Sequence, residues 1–424
     1  MKQVRKYIPI YAVLIIISII ICLANRTMFS ARIFAVLLVG INIATVIIVR
    51  KDLKKIIVSG FILWSNYSIC VTNYCLSNGG FFSSWDNDNV VIIAMSILLV
   101  FNIFLMKILI TTQNSGYSIL INEKNNSFLV WITVGVLIFI FVFCFQRPEK
   151  LGMRGTPNSI YEYSVILFIL AFLYSGNRYE KISLLVLACL FCIQDLAFAN
   201  RVTSLQLIIC CLVIYQCKVN VKLIIPIAVI VGGVLLSVGT LRAGLSLDGL
   251  YAVFEDLFKS KLTFDTAYSA FYTSLTFIKV SEITPPITKV GMLIMFILSN
   301  IIGGGRIPNS NLPEYTHDVF IHYYGGITPF YFFFYLSWIG LGLGIVYILF
   351  LFKNIFNNDK KNKFVDLKEC LAIYVVATCP RWYLYSPLPL IRGILLLSIA
   401  YFIYLAADII LKKLLSILKE ERHG

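Results

Sequence analysis

The sequence predicts an all-α polytopic membrane protein with about twelve transmembrane helices and one large external loop region. Three observations carry that reading. Of the 424 residues, 59% are hydrophobic and 13% charged, with mean hydropathy +0.87, whereas a soluble domain carries roughly 25% charged residues. Apolar runs near the ~20 residues needed to cross a bilayer recur along most of the chain. Runs such as "YAVLIIISIIICLA" are continuous, unlike the short alternating segments of a transmembrane β-barrel.

The elements follow in order. "MKQVRKYIPIYAVLIIISIIICLANRT" has a basic start, a long apolar run and no A-x-A site, so 7–24 reads as an uncleaved first span. Further apolar segments fall near 33–49, 56–76, 90–110, 128–145, 161–176, 182–199, 202–217, 222–241, 327–352, 370–386 and 391–411. The stretch "VGMLIMFILSNII" at 290–302 has only 13 residues, a length typical of re-entrant or interfacial segments. The eleven cysteines lie almost wholly in apolar runs and read as small hydrophobes, with no C-x-x-C metal or redox spacing expected among them.

Charge sets the sidedness. With the first residues inside, "RKDLKK" (50–55), "NRYEK" (177–181), "CKVNVK" (217–222) and "KKLLSILKEERHG" all fall on the cytoplasmic side. A single crossing by 290–302 would expel the lysine-rich "KNIFNNDKKNKFVDLKE" (353–369). That helix is therefore expected not to cross, which leaves 242–326 as one large external region within a single integral membrane domain, 1–424. The net charge of +15 reports this topology and not nucleic-acid binding.

The same topology sorts the two basic residue types. The external side holds nine arginines (Arg26, Arg32, Arg147, Arg154, Arg201, Arg242, Arg306, Arg381 and Arg392) but only five of the 23 lysines. Orientation alone does not separate arginine from lysine. Arginine's planar fork suits phosphate or carboxylate, so the set points to an anionic ligand at the outer surface, with headgroup snorkelling as the alternative. Arg201, in "FANRVTSLQLIICC", sits between two apolar runs six residues after Asp195. A charge near hydrocarbon depth is a functional candidate by default; a structural pair with Asp195 is the other reading.

Two of the three histidines fall in "EYTHDVFIHYYGGITPF" (314–330). His317 and His322 are five apart, about 140° around a helix, so they lack the i,i+4 spacing of a zinc helix. "WDNDN" (85–89) reads as a solvated loop rather than a divalent-ion site. "GGG" at 303–305, beside Arg306 and eleven residues before His317, is a plausible loop over an anionic group. Asp408 and Lys412, at i,i+4, read as a helix-end ion pair.

The order of these features resembles the bacterial O-antigen and capsular polysaccharide polymerase (Wzy-type) family, within the O-antigen polymerase and ligase superfamily. "ANRVTSLQL" resembles the arginine-bearing entry to that superfamily's second half, and Arg242 in "VGTLRAGLS" falls where a second arginine opens its large loop. "MRGTPNSIYEYS" (153–164) resembles an R-G-x-P-N stretch, and "IIGGGRIPNSNLPEYTHDVFIHYYGGITPFYFFFY" a glycine-rich segment with its histidine. The family's usual asparagine or serine after that histidine is here Asp318.

The resemblance implies a GT-C-like glycosyltransferase in the bacterial cytoplasmic membrane. It would join undecaprenyl-pyrophosphate-linked oligosaccharide repeat units at the outer face, with a chain-length regulator and a flippase as possible partners. It implies Arg154, Arg201, Arg242 and Arg306 on the pyrophosphate and Tyr324 on the sugar. His317 would act on the acceptor hydroxyl, oriented by Asp318 or Glu314. A single displacement predicts inversion, and no cofactor or metal is implied. A ligase shares the constellation. A lipid-linked oligosaccharide flippase predicts internal repeats and charges within several spans, whereas here the charges gather at the outer rim.

Overall fold

The computed structural model describes residues 28–72, 88–112, 124–149, 155–198, 200–215, 265–302, 310–319, 325–357 and 365–420. The first span (7–24), the 222–241 segment, the "GGG" run and His322 lie outside these residues. About 87% of the structure is helical. Among the described residues, four helices are long and apolar enough to cross a membrane, Ala31–Val49, Asn89–Thr111, Thr328–Phe356 and Leu388–Leu414, and several shorter apolar helices accompany them.

In chain order the helices are α1 (Met28–Val49), α2 (Leu53–Thr72), α3 (Asp88–Thr111) and α4 (Ser127–Phe143). A two-residue antiparallel pair follows, β1 (Phe145–Gln146) with β2 (Thr156–Pro157). Next come α5 (Ser159–Glu162), α6 (Ser164–Tyr174), α7 (Arg178–Ala197), α8 (Val202–Ile214), α9 (Asp265–Ile283) and α10 (Pro286–Ile302). The last are α11 (Leu312–Val319), α12 (Thr328–Phe356), α13 (Val365–Ala377), α14 (Cys379–Leu384) and α15 (Leu388–Glu420). The chain clusters into two compact units. Unit 1 comprises 1–116, 257–358 and 379–392, and unit 2 the remainder.

In unit 1, α1 packs on α2 and α3, while α9 packs on α2, α3 and α12. A closed polar ring ties three helices: Asn66 Nδ2 donates to Asn102 Oδ1 (3.2 Å), Asn102 Nδ2 to Tyr383 Oη (3.3 Å), and Tyr383 Oη to Asn66 Oδ1 (2.9 Å). All three side chains are buried, so each donor and acceptor finds the partner that hydrocarbon does not offer. At the start of α2, the buried Lys55 Nζ donates to the Thr112 carbonyl (2.8 Å) and lies 3.9 Å from Asp52.

The apolar run expected as one span over 327–352 is broken. Leu336 (φ −134°, ψ 25°) and Ser337 (φ 52°, ψ −135°) leave the helical region. A Cβ on Gly340 would strike the Phe332 carbonyl, and one on Gly344 the Phe332 ring. Phe332 therefore folds back against residues 8 and 12 positions later. In a straight helix the second separation is about 18 Å. The aromatic stretch Thr328–Tyr335 is a buried segment of its own, and 338–356 is the membrane-length helix.

The helix α10 inverts the amphipathic pattern of a soluble protein. Its inward positions carry Lys289, Ser299 and Asn300 beside Met292 and Phe296; Lys289 Nζ donates to Ser281 Oγ (3.0 Å). Its outward positions are Ile287, Val290, Ile294, Ile297, Leu298 and Ile301. Polar inside and apolar outside is the arrangement for hydrocarbon surroundings, since water would favour the reverse.

Unit 2 has two distinct ends. At one, Lys124 N–H donates to the Leu173 carbonyl (3.0 Å) and Asn126 N–H to that of Tyr174 (3.1 Å). Lys124 Nζ lies 3.2 Å from Asp366 and donates to Tyr401 Oη (3.1 Å). Burial opposes its charge, but those partners hold the Lys124 ammonium above the ordinary lysine value. Asp408 accepts from Asn126 (2.7 Å) and Lys412 (2.8 Å), so the i,i+4 pair expected from sequence forms. Glu180 accepts from the Gly176 and Asn177 N–H groups (3.0 and 3.2 Å) and caps α7.

At the other end, Asn158 N–H donates to the Cys144 carbonyl (3.1 Å) and Gly155 N–H to that of Phe198 (2.9 Å). The Phe145 ring lies 5.8 Å from that of Phe198 and 5.0 Å from that of Tyr161.

Candidate functional site

Arg154, Arg242, Arg306 and Tyr324 lie outside the described residues, as does the side chain of Asp318. His317, Glu314 and Arg201 are described, the first two in unit 1 and the third in unit 2.

His317 stands on α11, a short helix seated by its neighbours. Leu312 and Thr316 are buried, and Thr316 Oγ1 donates back to the Leu312 carbonyl (3.0 Å). The Tyr315 ring meets Phe334 edge-on at 6.4 Å, and its hydroxyl lies 3.5 Å from Thr284 Oγ1 at the end of α9. Glu314 is exposed and accepts from Asn311 Nδ2 (3.4 Å) in the first turn, where a carboxylate suits the helix dipole. His317 is half-buried. Glu314 precedes it by one turn on the same side of the helix.

The glycine pair that follows is held tightly. Gly325 has φ +95°, a conformation that favours glycine, and a Cβ there would lie 2.9 Å from the Tyr385 ring. Gly326 N–H donates to the Tyr385 carbonyl (3.0 Å), which also accepts from Tyr331 Oη (2.8 Å). Ile327 N–H donates to Ser274 Oγ (2.9 Å), and the Thr328 hydroxyl to the Trp382 carbonyl. The entry of α12 is thus fastened to α9 and to the α14 turn. Ser274 and Thr284 are ten residues apart on α9, about 15 Å. The structure therefore places the glycine turn and the His317 helix at separate positions along one supporting helix.

This fastening brings in residues that sequence reasoning did not select. Arg381 is half-buried on α14, four residues before Tyr385, and Arg392 is half-buried just beyond the same turn. Both are among the nine arginines of the external side, and that asymmetry is the sequence signal that points to them. Ser274 and Tyr385 gave none, since one acts through a hydroxyl inside a helix and the other through a main-chain carbonyl.

In unit 2, Arg201 is the residue from which α8 starts. Its N–H donates to Asn200 Oδ1 (2.9 Å), and its carbonyl accepts from Leu205 N–H (3.1 Å) and Ser204 Oγ (3.1 Å). The fully buried Asp195 supplies the cap that Arg201 cannot. Its Oδ2 accepts from Ser204 N–H (2.8 Å), the third residue of α8, and its Oδ1 from Asn200 Nδ2 (3.4 Å). Asp195 is thereby committed to the helix N-terminus, and the Arg201 side chain is half-buried.

The cysteine reading needs one correction. Cys189 and Cys192 stand in C-x-x-C spacing on α7. Among the described residues no three His, Cys, Asp or Glu side chains form a metal-holding group. No protein-family model matches the chain, and no curated protein or solved structure is significantly similar to it.

Proposed function

We propose that this chain is a glycosyltransferase that polymerises undecaprenyl-pyrophosphate-linked oligosaccharide repeat units into O-antigen or capsular polysaccharide. It acts as a multi-pass protein at the outer face of the bacterial cytoplasmic membrane. The observation that carries the reading is the ordered set Arg201, Arg242, Gly303–Arg306 and His317, with His317 presented half-buried on a braced helix beside Glu314.

Two features support it. In unit 2, the residues gathered around Lys124, Glu180, Asp366 and Asp408 are those the lysine bias assigns to the cytoplasm. Those gathered around β1, β2 and Asp195 are the ones it assigns outside. The external arginines also include Arg381, whose turn fastens the Gly325–Gly326 segment.

In the proposed reaction, the acceptor sugar hydroxyl attacks the anomeric carbon of the donor and the carrier pyrophosphate departs. His317 takes the hydroxyl proton, an imidazole being suited to that role near neutral pH. Arginines fixed in advance stabilise the charge that builds on the leaving group. The single displacement inverts the anomeric centre and needs no metal.

The test is a glycan ladder from cells carrying His317→Ala, beside the intact gene and a deletion, with protein level checked. Collapse to single-repeat glycan is expected. Loss of surface glycan with long chains still on the carrier would mark a ligase instead. An unchanged ladder would remove His317 from the chemistry.

A further inference from the structure

Both ends of α12 meet one residue of unit 1. The Thr328 hydroxyl donates to the Trp382 carbonyl, and the Phe352 ring lies 5.8 Å from the Trp382 ring. On a straight helix positions 328 and 352 are about 36 Å apart. The chain therefore doubles back at Leu336–Ser337, in agreement with Phe332 meeting Gly340 and Gly344. Exposure changes abruptly at the same place. Residues 325–335 are buried apart from the half-buried Phe332, whereas Leu336, Ser337, Trp338 and Ile339 are all exposed. Four successive helical positions sweep about 300°, so the bend projects from the packed helices.

Length and depth say where this hairpin stands. All 29 residues of α12 as one straight helix would extend about 43 Å, well beyond the ~30 Å hydrocarbon layer. Residues 338–356 alone extend about 28 Å and match that layer. With the exposed Lys353 and Asn357 at one boundary, Trp338 falls at the other, a depth at which tryptophan is favoured. The start of α12 is deep by contrast. On the membrane-length α3, Asn102 lies about 20 Å from Asn89 and about 14 Å from Thr111, and it donates to Tyr383 Oη (3.3 Å). Trp382 adjoins Tyr383, and Gly326 N–H donates to the Tyr385 carbonyl. The glycine turn is thus held near the middle of α3 rather than at its end.

Non-helical backbone at membrane depth is tolerated where protein encloses it. That condition is met here, because Gly326 N–H bonds to Tyr385 and Ile327 N–H to Ser274 Oγ. We propose that residues 325–337 form a re-entrant limb. It begins at the Gly325–Gly326 turn near mid-membrane and climbs through Thr328–Tyr335 inside the protein. It then turns at Leu336–Ser337 in the lipid–water boundary opposite Lys353. The exposed Leu336, Trp338 and Ile339 are its contact with the lipids of that boundary. The full crossing is made by 338–356 alone. This placement does not depend on the glycosyltransferase reading.

The test is thiol labelling of the full-length protein in nanodiscs by a membrane-impermeant maleimide. The variants are Ser337→Cys and Leu336→Cys at the bend, Leu343→Cys on the exposed side of 338–356, and Asn357→Cys at its far end. Modified sites are read by peptide mass spectrometry, which separates them from the native cysteines. The bend variants should react at rates near that of Asn357→Cys and roughly tenfold or more above Leu343→Cys, because attack needs a thiolate that apolar surroundings suppress. Reaction of either bend variant upholds the placement. Protection of both to the level of Leu343→Cys would put the bend in hydrocarbon and overturn it. The pair Phe332→Cys and Gly344→Cys tests the fold-back separately. A Cβ on Gly344 would fall against Phe332 Cγ, within disulfide reach, whereas about 18 Å separates the two on a straight helix. A cross-link on oxidation with copper phenanthroline is expected, and its absence in folded protein would overturn the hairpin.

Discussion

Substituting Gly326 by alanine should test how tightly the entry to α12 is held. Its N–H is bound to Tyr385 and the next N–H to Ser274, so the backbone is restrained on both sides. An added Cβ would lie 2.4 Å from Phe277 Cε2 and 2.7 Å from Cζ, about 1 Å inside normal carbon contact. Phe277 has no free space to use, being 0% exposed and edge-on to Tyr331 at 5.1 Å. Overpacking of this kind costs about 1–3 kcal/mol. Phe277→Leu alone should cost about 1–2 kcal/mol as a buried large-to-small change. In the double variant the clash disappears, so its cost should approach that of Phe277→Leu. The cycle then yields a coupling about as large as the cost of Gly326→Ala itself, about 1–3 kcal/mol. Unfolding by SDS titration in mixed micelles gives the four values. Additive costs, or a neutral Gly326→Ala, would refute the close approach.

Three further outcomes are expected. Ser337→Gly should stabilise the protein by about 1 kcal/mol in the same titration, because a strained non-glycine residue costs about 1–3 kcal/mol and glycine's added chain entropy recovers less than that. Glu180 is buried, which opposes its charge, yet bonds from Ser127, Asn177 and Gly176 hold its carboxyl below the ordinary value. Its stabilisation is therefore present above the unfolded value of about 4.3 and lost as pH falls through the lower folded value. Glu180→Gln should flatten that acid-side loss of thermal midpoint. Ile294→Lys on the outward side of α10 should cost about 2.5–3.5 kcal/mol if lipid surrounds it; a change within about 0.5 kcal/mol would place that side in water.

Features governed by continuous apolarity or by short-range pairing could be read from the sequence. The runs at 33–49 and 90–110 became α1 and α3, and Asp408–Lys412 formed as spaced. The break at Leu336–Ser337 was hidden, because "FFFYLSWIGLGLG" has no proline and uniform hydropathy. It depends on Phe332 finding Gly340 and Gly344, a contact local in space but distant along a straight helix. The role of Asp195 was also hidden. Its obvious partner in sequence was Arg201, yet the carboxylate turns to main-chain N–H groups that no side-chain pattern advertises. For the candidate site, His317 and Glu314 on one helix face could be foreseen from their spacing of three. The separation of α11 from the glycine turn could not, because it is set by where each meets α9.

That helix also changes what the charge bias implies about topology. α9 carries six serines and threonines (Thr266, Ser269, Thr273, Ser274, Thr276 and Ser281), with Thr284 just beyond its end, so no apolar run marked it. Yet Ala267, Phe271, Tyr272, Leu275, Phe277, Ile278 and Val280 are all buried, and α9 packs on α2, α3 and α12. Most of its hydroxyls bond to main-chain carbonyls. Ser274 donates to the Ala270 carbonyl (2.7 Å), Thr284 to that of Val280 (2.6 Å), and Ser281 to that of Phe334 (3.0 Å). A helix so arranged can enter an apolar layer despite modest hydropathy. The lysine-rich loop at 353–369 stays on the cytoplasmic side only if an even number of crossings lies between 242 and 326. A lone insertion of α10 breaks that parity, whereas α9 and α10 inserted together preserve it. On the sidedness that the lysine bias implies, a single insertion in this region is disfavoured and a paired one is allowed, and the buried α9 with the lipid-patterned α10 is compatible with such a pair.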